Sequence, residues 1–297
     1  MSRDGCADRA SAIIGPSSAA QEWLAGAAWR ASWRNLAAMA SVHADDSELI
    51  ERARAWRNAA HAAICDVVEP WEHGTIVRST RYPSYYDYNL VRVEDAGPIA
   101  IDALASIADR ALAGLGHRRV TFDNVSTAEP LRAGFEAAGW KVMRLLWLRH
   151  DGPLPATDPT HAVEVVPYDE VEQLRRAWHE EDFPGGDPTS FHVAAREVAL
   201  RRGAVVLAVR QRGAAIAFAQ LESGDDAAEV SHVYVHPDHR GGGLGTAVTG
   251  AAIRAASGVR DLWICADDED RPKRLYARLG FRPVWTTIEL ERVLKAS

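Results

Sequence analysis

At about 150 residues per domain, a chain of 297 residues holds two domains or one large one, and it needs no staple to bury a core. Its formal charge of −7, from 34 Lys plus Arg against 41 Asp plus Glu, argues against a nucleic-acid binder held by counterion release. A hydrophobic content of 47% with 25% charged residues is ordinary globular composition and excludes disorder as the main state.

In chain order, residues 1–18 have no apolar run of signal-peptide length and read as a flexible N-terminus. No later window approaches 18 uninterrupted apolar residues, so the expectation is a cytoplasmic protein without a membrane span. Cys6, Cys65 and Cys265 are an odd set without paired spacing, which implies neither a disulfide framework nor a cysteine zinc site. Trp23, Leu24, Ala27, Ala28, Ala31, Leu36 and Met39 recur at helical spacing over residues 21–40, and Asp45 with Glu48 forms a capping-box pattern that starts a second helix carrying Trp56 and Ile64. Strands follow at 74–80 and 89–93, then a helix over 99–112, a strand at 119–122, a short helix ending at Gly139 and a strand over 141–149. D-G-P-L-P-A-T-D-P, Asp151 to Pro159, is linker chemistry. Beyond it the order recurs: strand 163–166, helices 169–181 and 189–201, strands 204–209, 214–221 and 228–235, then helix, strand and helix.

The recurrence is visible in letters, since F-E-A-A-G-W-K at Phe135 to Lys141 parallels Y-A-R-L-G-F-R at Tyr276 to Arg282. Repeats of this length mean duplicated domains rather than a solenoid. The expected organisation is residues 19–150 as a first domain, 151–160 as linker and 161–297 as a second domain.

The strongest chemical signal is S-H-V-Y-V-H-P-D-H-R-G-G-G-L-G-T-A, Ser231 to Ala247, in which an apolar strand runs through a glycine loop into an alanine-rich helix. Free amides at a helix start bind anionic oxygens, and glycines let the backbone come close to a diphosphate. Arg240 adds a positive charge at the same end. No Lys-Ser or Lys-Thr follows the loop, so it is not a P-loop, and Thr246 and Val248 break the dinucleotide fingerprint.

The letters that do match are R-x-x-G-x-G at Arg240, Gly243 and Gly245, after V-x-P at Val235 to Pro237, together with L-Y-x-x-L-G-F at Leu275 to Phe281. With these motifs the sequence resembles the GNAT superfamily of acetyl-CoA-dependent acetyltransferases over about residues 161–297; the first half matches in outline only. The resemblance implies an α+β fold of two tandem GNAT-like domains, each a mixed, mostly antiparallel sheet flanked by helices. It implies acetyl-CoA as co-substrate, with the pyrophosphate held by Arg240, Gly241, Gly242, Gly243, Leu244, Gly245 and Thr246, and the pantetheine arm by main-chain groups of Val233 and Val235. It also implies Tyr276 as the general acid for the departing thiolate.

Glu229 stands where some members of the family carry a general-base glutamate, and strand alternation puts Glu229, Ser231, Val233 and Val235 on one face. A bulge would change that, with Ser231 as the substitute. The first half has Phe135 in place of Tyr276 and E-D-A-G-P-I after Val93 in place of the glycine loop, so it reads as a degenerate copy. Asp267 to Asp270 replace the asparagine the family often has there. His232, His236 and His239 lack ligand spacing and are read as no metal site, and the tryptophans as core.

The expected reaction is transfer of the acetyl group to a primary amine of a small molecule by direct attack in a ternary complex. The negative second half disfavours polyanionic acceptors, and the tract Glu180 to Asp187, which the resemblance places in a region that often borders the acceptor, reads either as a solvated loop or as acid that would favour a cationic amine. Two other readings stay open: a mycothiol-synthase-like or other acyl-CoA transferase, and a non-catalytic acyl-CoA sensor. Oligomeric state is open, homo-oligomers included.

Overall fold

The structure, a computed structural model, describes residues 44–95, 97–182, 188–269 and 272–294; the helix expected over 21–40 and the N-terminus 1–18 lie outside them. The elements in chain order begin with α1 (Ala44–Ile64), β1 (Val67–Trp71), β2 (Gly74–Arg78), β3 (Leu90–Val93), α2 (Ile101–Ala111), β4 (His117–Phe122), α3 (Val125–Ala128), α4 (Arg132–Ala137) and β5 (Lys141–His150). The second half comprises β6 (Val163–Val166), α5 (Glu172–Asp182), α6 (Thr189–Arg201), β7 (Val205–Gln211), β8 (Ala214–Ser223), β9 (Ala227–Val235), α7 (Leu244–Ala255), β10 (Asp261–Asp267), α8 (Pro272–Arg278) and β11 (Phe281–Val293).

All described strands join one 11-stranded sheet of order β1-β2-β3-β4-β11-β5-β10-β9-β8-β7-β6. It is antiparallel except at two places, β3 beside β4 and β9 beside β10. The two halves exchange their last strands. β5, which closes the first half in sequence, lies against β10 of the second, and β11, which closes the second half, lies against β4 of the first. β5 and β11 pair with each other from Phe281↔His150 to Glu291↔Lys141, with a bulge between Pro283 and Trp285. The duplicated order of elements is thus present as an approximate two-fold relation about the β5–β11 pair, within one continuous sheet.

Alternation along the strands makes two faces. On one, Val209, Ala217, Ala219, Leu221, Val230, Leu262 and Ile264 meet α7, and Val91, Val93, Val120, Phe122, Ile288 and Leu290 meet the matching helices of the first half. On the other, α1 lies over Trp147, Trp263 and Trp285. Burying an aromatic of this kind removes about 150–250 Å² from water, so this tryptophan layer is a principal tie between the halves. Arg57 of α1 pairs with Asp123 after β4 at 2.5 Å, and Arg52 of α1 with Asp261 of β10 at 2.8 Å, so one helix is fastened to both halves.

Candidate functional site

The register of β9 sets the site. β9 pairs with β10 only through Ala227, Ala228 and Glu229, while β10 goes on pairing with β5 as far as Asp267. From Ser231 to Val235, β9 therefore has no β10 neighbour, and the parallel pair opens into a V beyond Glu229. The equivalent pair in the first half stays closed. β3 ends at Val93, which is in register with Phe122, and Asp123 N–H bonds the Val93 carbonyl at 2.9 Å.

A bulge falls inside β9. Phe218 faces Tyr234 and Gln220 faces Ser231, so one residue of β9 is extra, and His232 takes the left-handed conformation with φ 49°. This corrects the expected face assignment: Val233 and Val235 turn to the α7 side with Val230, while Glu229 and Ser231 share the opposite side with Glu222 and Tyr234. His232 is pushed down to a pKa of about 3 by burial, with Arg175 adding to the effect, and packs edge-on against Trp178.

At the mouth of the V, the chain passes from β9 through a 3-10 turn to the glycine loop. Gly241 and Gly243 have φ 84° and 86°, a region that side chains with a Cβ rarely enter, and Gly243 is the N-cap of α7. Ala247 N–H makes the first intrahelical bond, to Gly243 at 3.0 Å, which leaves the amides of Leu244, Gly245 and Thr246 without intrahelical acceptors. A Cβ at Gly245 would lie 3.3 Å from Leu275 and 3.7 Å from Val235, so glycine there lets α8 sit against the first turn of α7 and the end of β9. Arg240 is engaged: its Nε donates to the Val235 carbonyl at 3.0 Å and its Nη2 to Glu181 of α5 at 2.7 Å. Tyr234 also donates to Glu181, at 2.5 Å. Of the acidic tract Glu180 to Asp187, Glu181 thus holds the expected phosphate-end arginine; residues 183–187 lie outside the described residues.

α8 places Tyr276 in the α7-side cluster, 6% exposed and edge-on to Phe281 with ring centroids 6.1 Å apart. Its first-half counterpart Phe135 is edge-on to Trp140 at 5.4 Å, the same packing slot without the hydroxyl. In the tract 267–270, Asp268 is paired with Arg144 and Lys273.

On the other side, Glu229 meets Glu222 directly across the β8–β9 ladder. Glu222 accepts from Arg202 Nε at 2.7 Å, Gln220 Nε2 at 2.9 Å and Ser231 Oγ at 3.3 Å. Glu229 accepts from the indole Nε1 of Trp56 at 2.6 Å. Burial first, and the Glu222 charge second, push the Glu229 carboxyl up to about 7, against the Trp56 hydrogen bond and Arg202. Trp56 is the residue that sequence reasoning missed: it reads as one more apolar position of α1, and only the fold carries its indole 173 positions along the chain to Glu229. Among the described residues, no group of three side chains is arranged to hold a metal ion, and no helix is long and apolar enough to cross a membrane.

Residues 201–283 match a family model described as Acetyltransferase (GNAT) domain. The strand pair that opens into a V and the glycine-capped α7 lie within these matched residues, which define a GNAT domain over that stretch of the chain. Over 87 residues it is 39% identical to a mycothiol acetyltransferase of Frankia casuarinae, a stretch that is 28% of this chain and 25% of that relative. The alignment therefore spans about a quarter of the curated relative's length. In fold, the chain is similar to a functionally unknown conserved protein from Staphylococcus epidermidis, with TM-score 0.60 and 13% identity over 78% of this chain and 95% of that one. It is also similar to a GCN5-related N-acetyltransferase from Kribbella flavida, with TM-score 0.52 and 18% identity over 81% and 94%.

Proposed function

We propose that the chain is an N-acetyltransferase that moves the acetyl group of acetyl-CoA to a primary amine of a small molecule by direct attack in a ternary complex. The observation that carries this reading is the V beyond Glu229, with a carboxylate poised near neutrality at its closed end and the glycine-capped start of α7 at its mouth. The free amides of Leu244, Gly245 and Thr246 suit the coenzyme A diphosphate. The unpaired edge of β9 over Val233 and Val235 suits the amide groups of the pantetheine arm, one of its acceptors, the Val235 carbonyl, being shared with Arg240.

In the reaction, an amine that arrives as ammonium gives a proton to Glu229, directly or through a water. The freed lone pair attacks the thioester carbonyl, the C–S bond breaks, the thiolate takes the hydroxyl proton of Tyr276, and the second proton that the nitrogen sheds as the amide forms restores that hydroxyl by way of solvent. A base is most effective when its pKa lies near the working pH, which is where burial and Glu222 set Glu229. Glu222 and Glu229 put acid on the side of the strand pair away from α7, which favours a cationic acceptor there. Acyl transfer to the acceptor of a mycothiol acetyltransferase is a second reading, favoured by the 39% identical relative.

The test is release of coenzyme A thiol from acetyl-CoA across a panel of small primary amines that includes the acceptor of a mycothiol acetyltransferase. Turnover with at least one amine, lost in Glu229→Gln at neutral pH, is the expected result. Binding of acetyl-CoA with no turnover on any amine would move the reading to a sensor.

A further inference from the structure

Glu229 is faced from both halves of the chain. From β8 comes Glu222, from the C-cap of α6 Arg202, from β10 Cys265, from the turn before β3 Asp87 and Tyr88, and from α1 Trp56. Two of these act on it at close range with opposite sense. Glu222 lies directly across the ladder, where like charges oppose one another. The indole N–H of Trp56 donates to Glu229 at 2.6 Å, and a hydrogen bond to the charged form favours that form.

Arg202 ties the two together. It pairs with Glu222 at 2.7 Å and its guanidinium lies over the Trp56 ring, 5.2 Å from the centroid. Gly224, at the β8–β9 turn, leaves the room the indole needs, since a Cβ there would stand 3.0 Å from the ring.

We infer that Trp56 and Glu222 are positioning residues that set the proton affinity of Glu229 with opposite sign, the first supplied by the N-terminal half and the second by the domain that carries the V. The degenerate half thereby takes part in the chemistry without binding coenzyme A: it carries the donor that keeps Glu229 a carboxylate often enough to accept a proton. The inference rests on the reading of Glu229 as base only for its consequence in turnover; the effect on the carboxyl itself is independent of that reading.

Both can be read separately. With ¹³C-labelled glutamate, the Glu229 carboxyl resonance, assigned by its loss in Glu229→Gln, is titrated in the full-length protein. Trp56→Phe should move its midpoint up and Glu222→Gln should move it down, each by about one pH unit, the size of a single close charge or hydrogen-bond effect. Acetyl-CoA affinity should be unchanged in both, which reports that the fold is intact.

Should Trp56→Phe not fold, Trp56→Tyr and the Glu222→Gln arm decide. Midpoints that stay put, or move in the same direction, overturn the inference. In turnover, the acid limb of kcat/KM should follow the same two shifts and vanish in Glu229→Gln. A limb that survives Glu229→Gln removes the base reading, while opposite shifts in the resonance would still uphold the effect on the carboxyl.

Discussion

A carboxyl whose pKa rises on folding is worth most to stability when protonated, and the Glu229 carboxyl, raised by burial and by Glu222, is such a group. Its contribution is fully present below the ordinary glutamate value and is lost as pH rises through about 7. Glu229→Gln should therefore raise the Tm relative to wild type by an amount that grows between pH 5 and pH 8 in calorimetry. A difference independent of pH would mean that the carboxyl titrates as an exposed one.

Tyr276 makes a separate prediction. Phe135 in the matching slot shows that the packing accepts a phenyl ring, so Tyr276→Phe should bind acetyl-CoA as before and lose about 10²- to 10⁴-fold in kcat, the usual worth of a general acid. Full turnover in that variant would remove the acid role. At this scale the glycine loop and Tyr276 were legible in the letters, because local motifs carry them. Trp56 and Glu222 were not, because a hydrogen bond between residues 173 apart and a cross-strand pair depend on register.

Among the elements, β9 carries the most consequence per residue. Its alternation read correctly up to Ser231; the extra residue at His232 has no signature in a run of apolar and β-prone letters, since a bulge is fixed by the partner strand. Removing it should return Val233 and Val235 to the face of Glu229 and take both from the α7 cluster, against which they are partly buried, at less per valine than the about 1.5–3 kcal/mol of a fully buried side chain. Deletion of His232 should thus lower the Tm and abolish acetyl-CoA binding, while His232→Gly, which suits φ 49° and keeps the register, should retain binding. Equal binding by the two variants in calorimetry would mean that the bulge does not orient the edge of the V.

Two strands escaped the sequence for physical reasons. β1 is an edge strand with Pro70 in it and little burial. β11 carries Pro283 two residues after its start, and its Glu289 and Glu291, which look solvent-bound in sequence, are buried beneath Arg119 of β4.

For the molecule as a whole, the duplicated order of elements was visible in the repeated Phe135 and Tyr276 segments, but not the exchange of β5 and β11. Both strands fit either half by pattern, and which edge each joins is settled by contacts more than 100 residues apart in sequence. The exchange predicts one cooperative unit over residues 49–297: far-UV circular dichroism and tryptophan fluorescence should report a single coincident unfolding transition, and a chain ending at residue 280 should lose the first half's structure as well as the second's, because β4 and β5 would both lose their shared neighbour. Two separated transitions would contradict it.

The central claim is that one of two related halves has kept an open strand pair and a glycine-capped helix for the acyl donor. Isothermal titration of acetyl-CoA into the full-length protein tests this most directly. The account predicts one site per chain, lost in the Arg240→Glu, Gly243→Val double variant; two equivalent sites, or a single site that survives that double change, would contradict it.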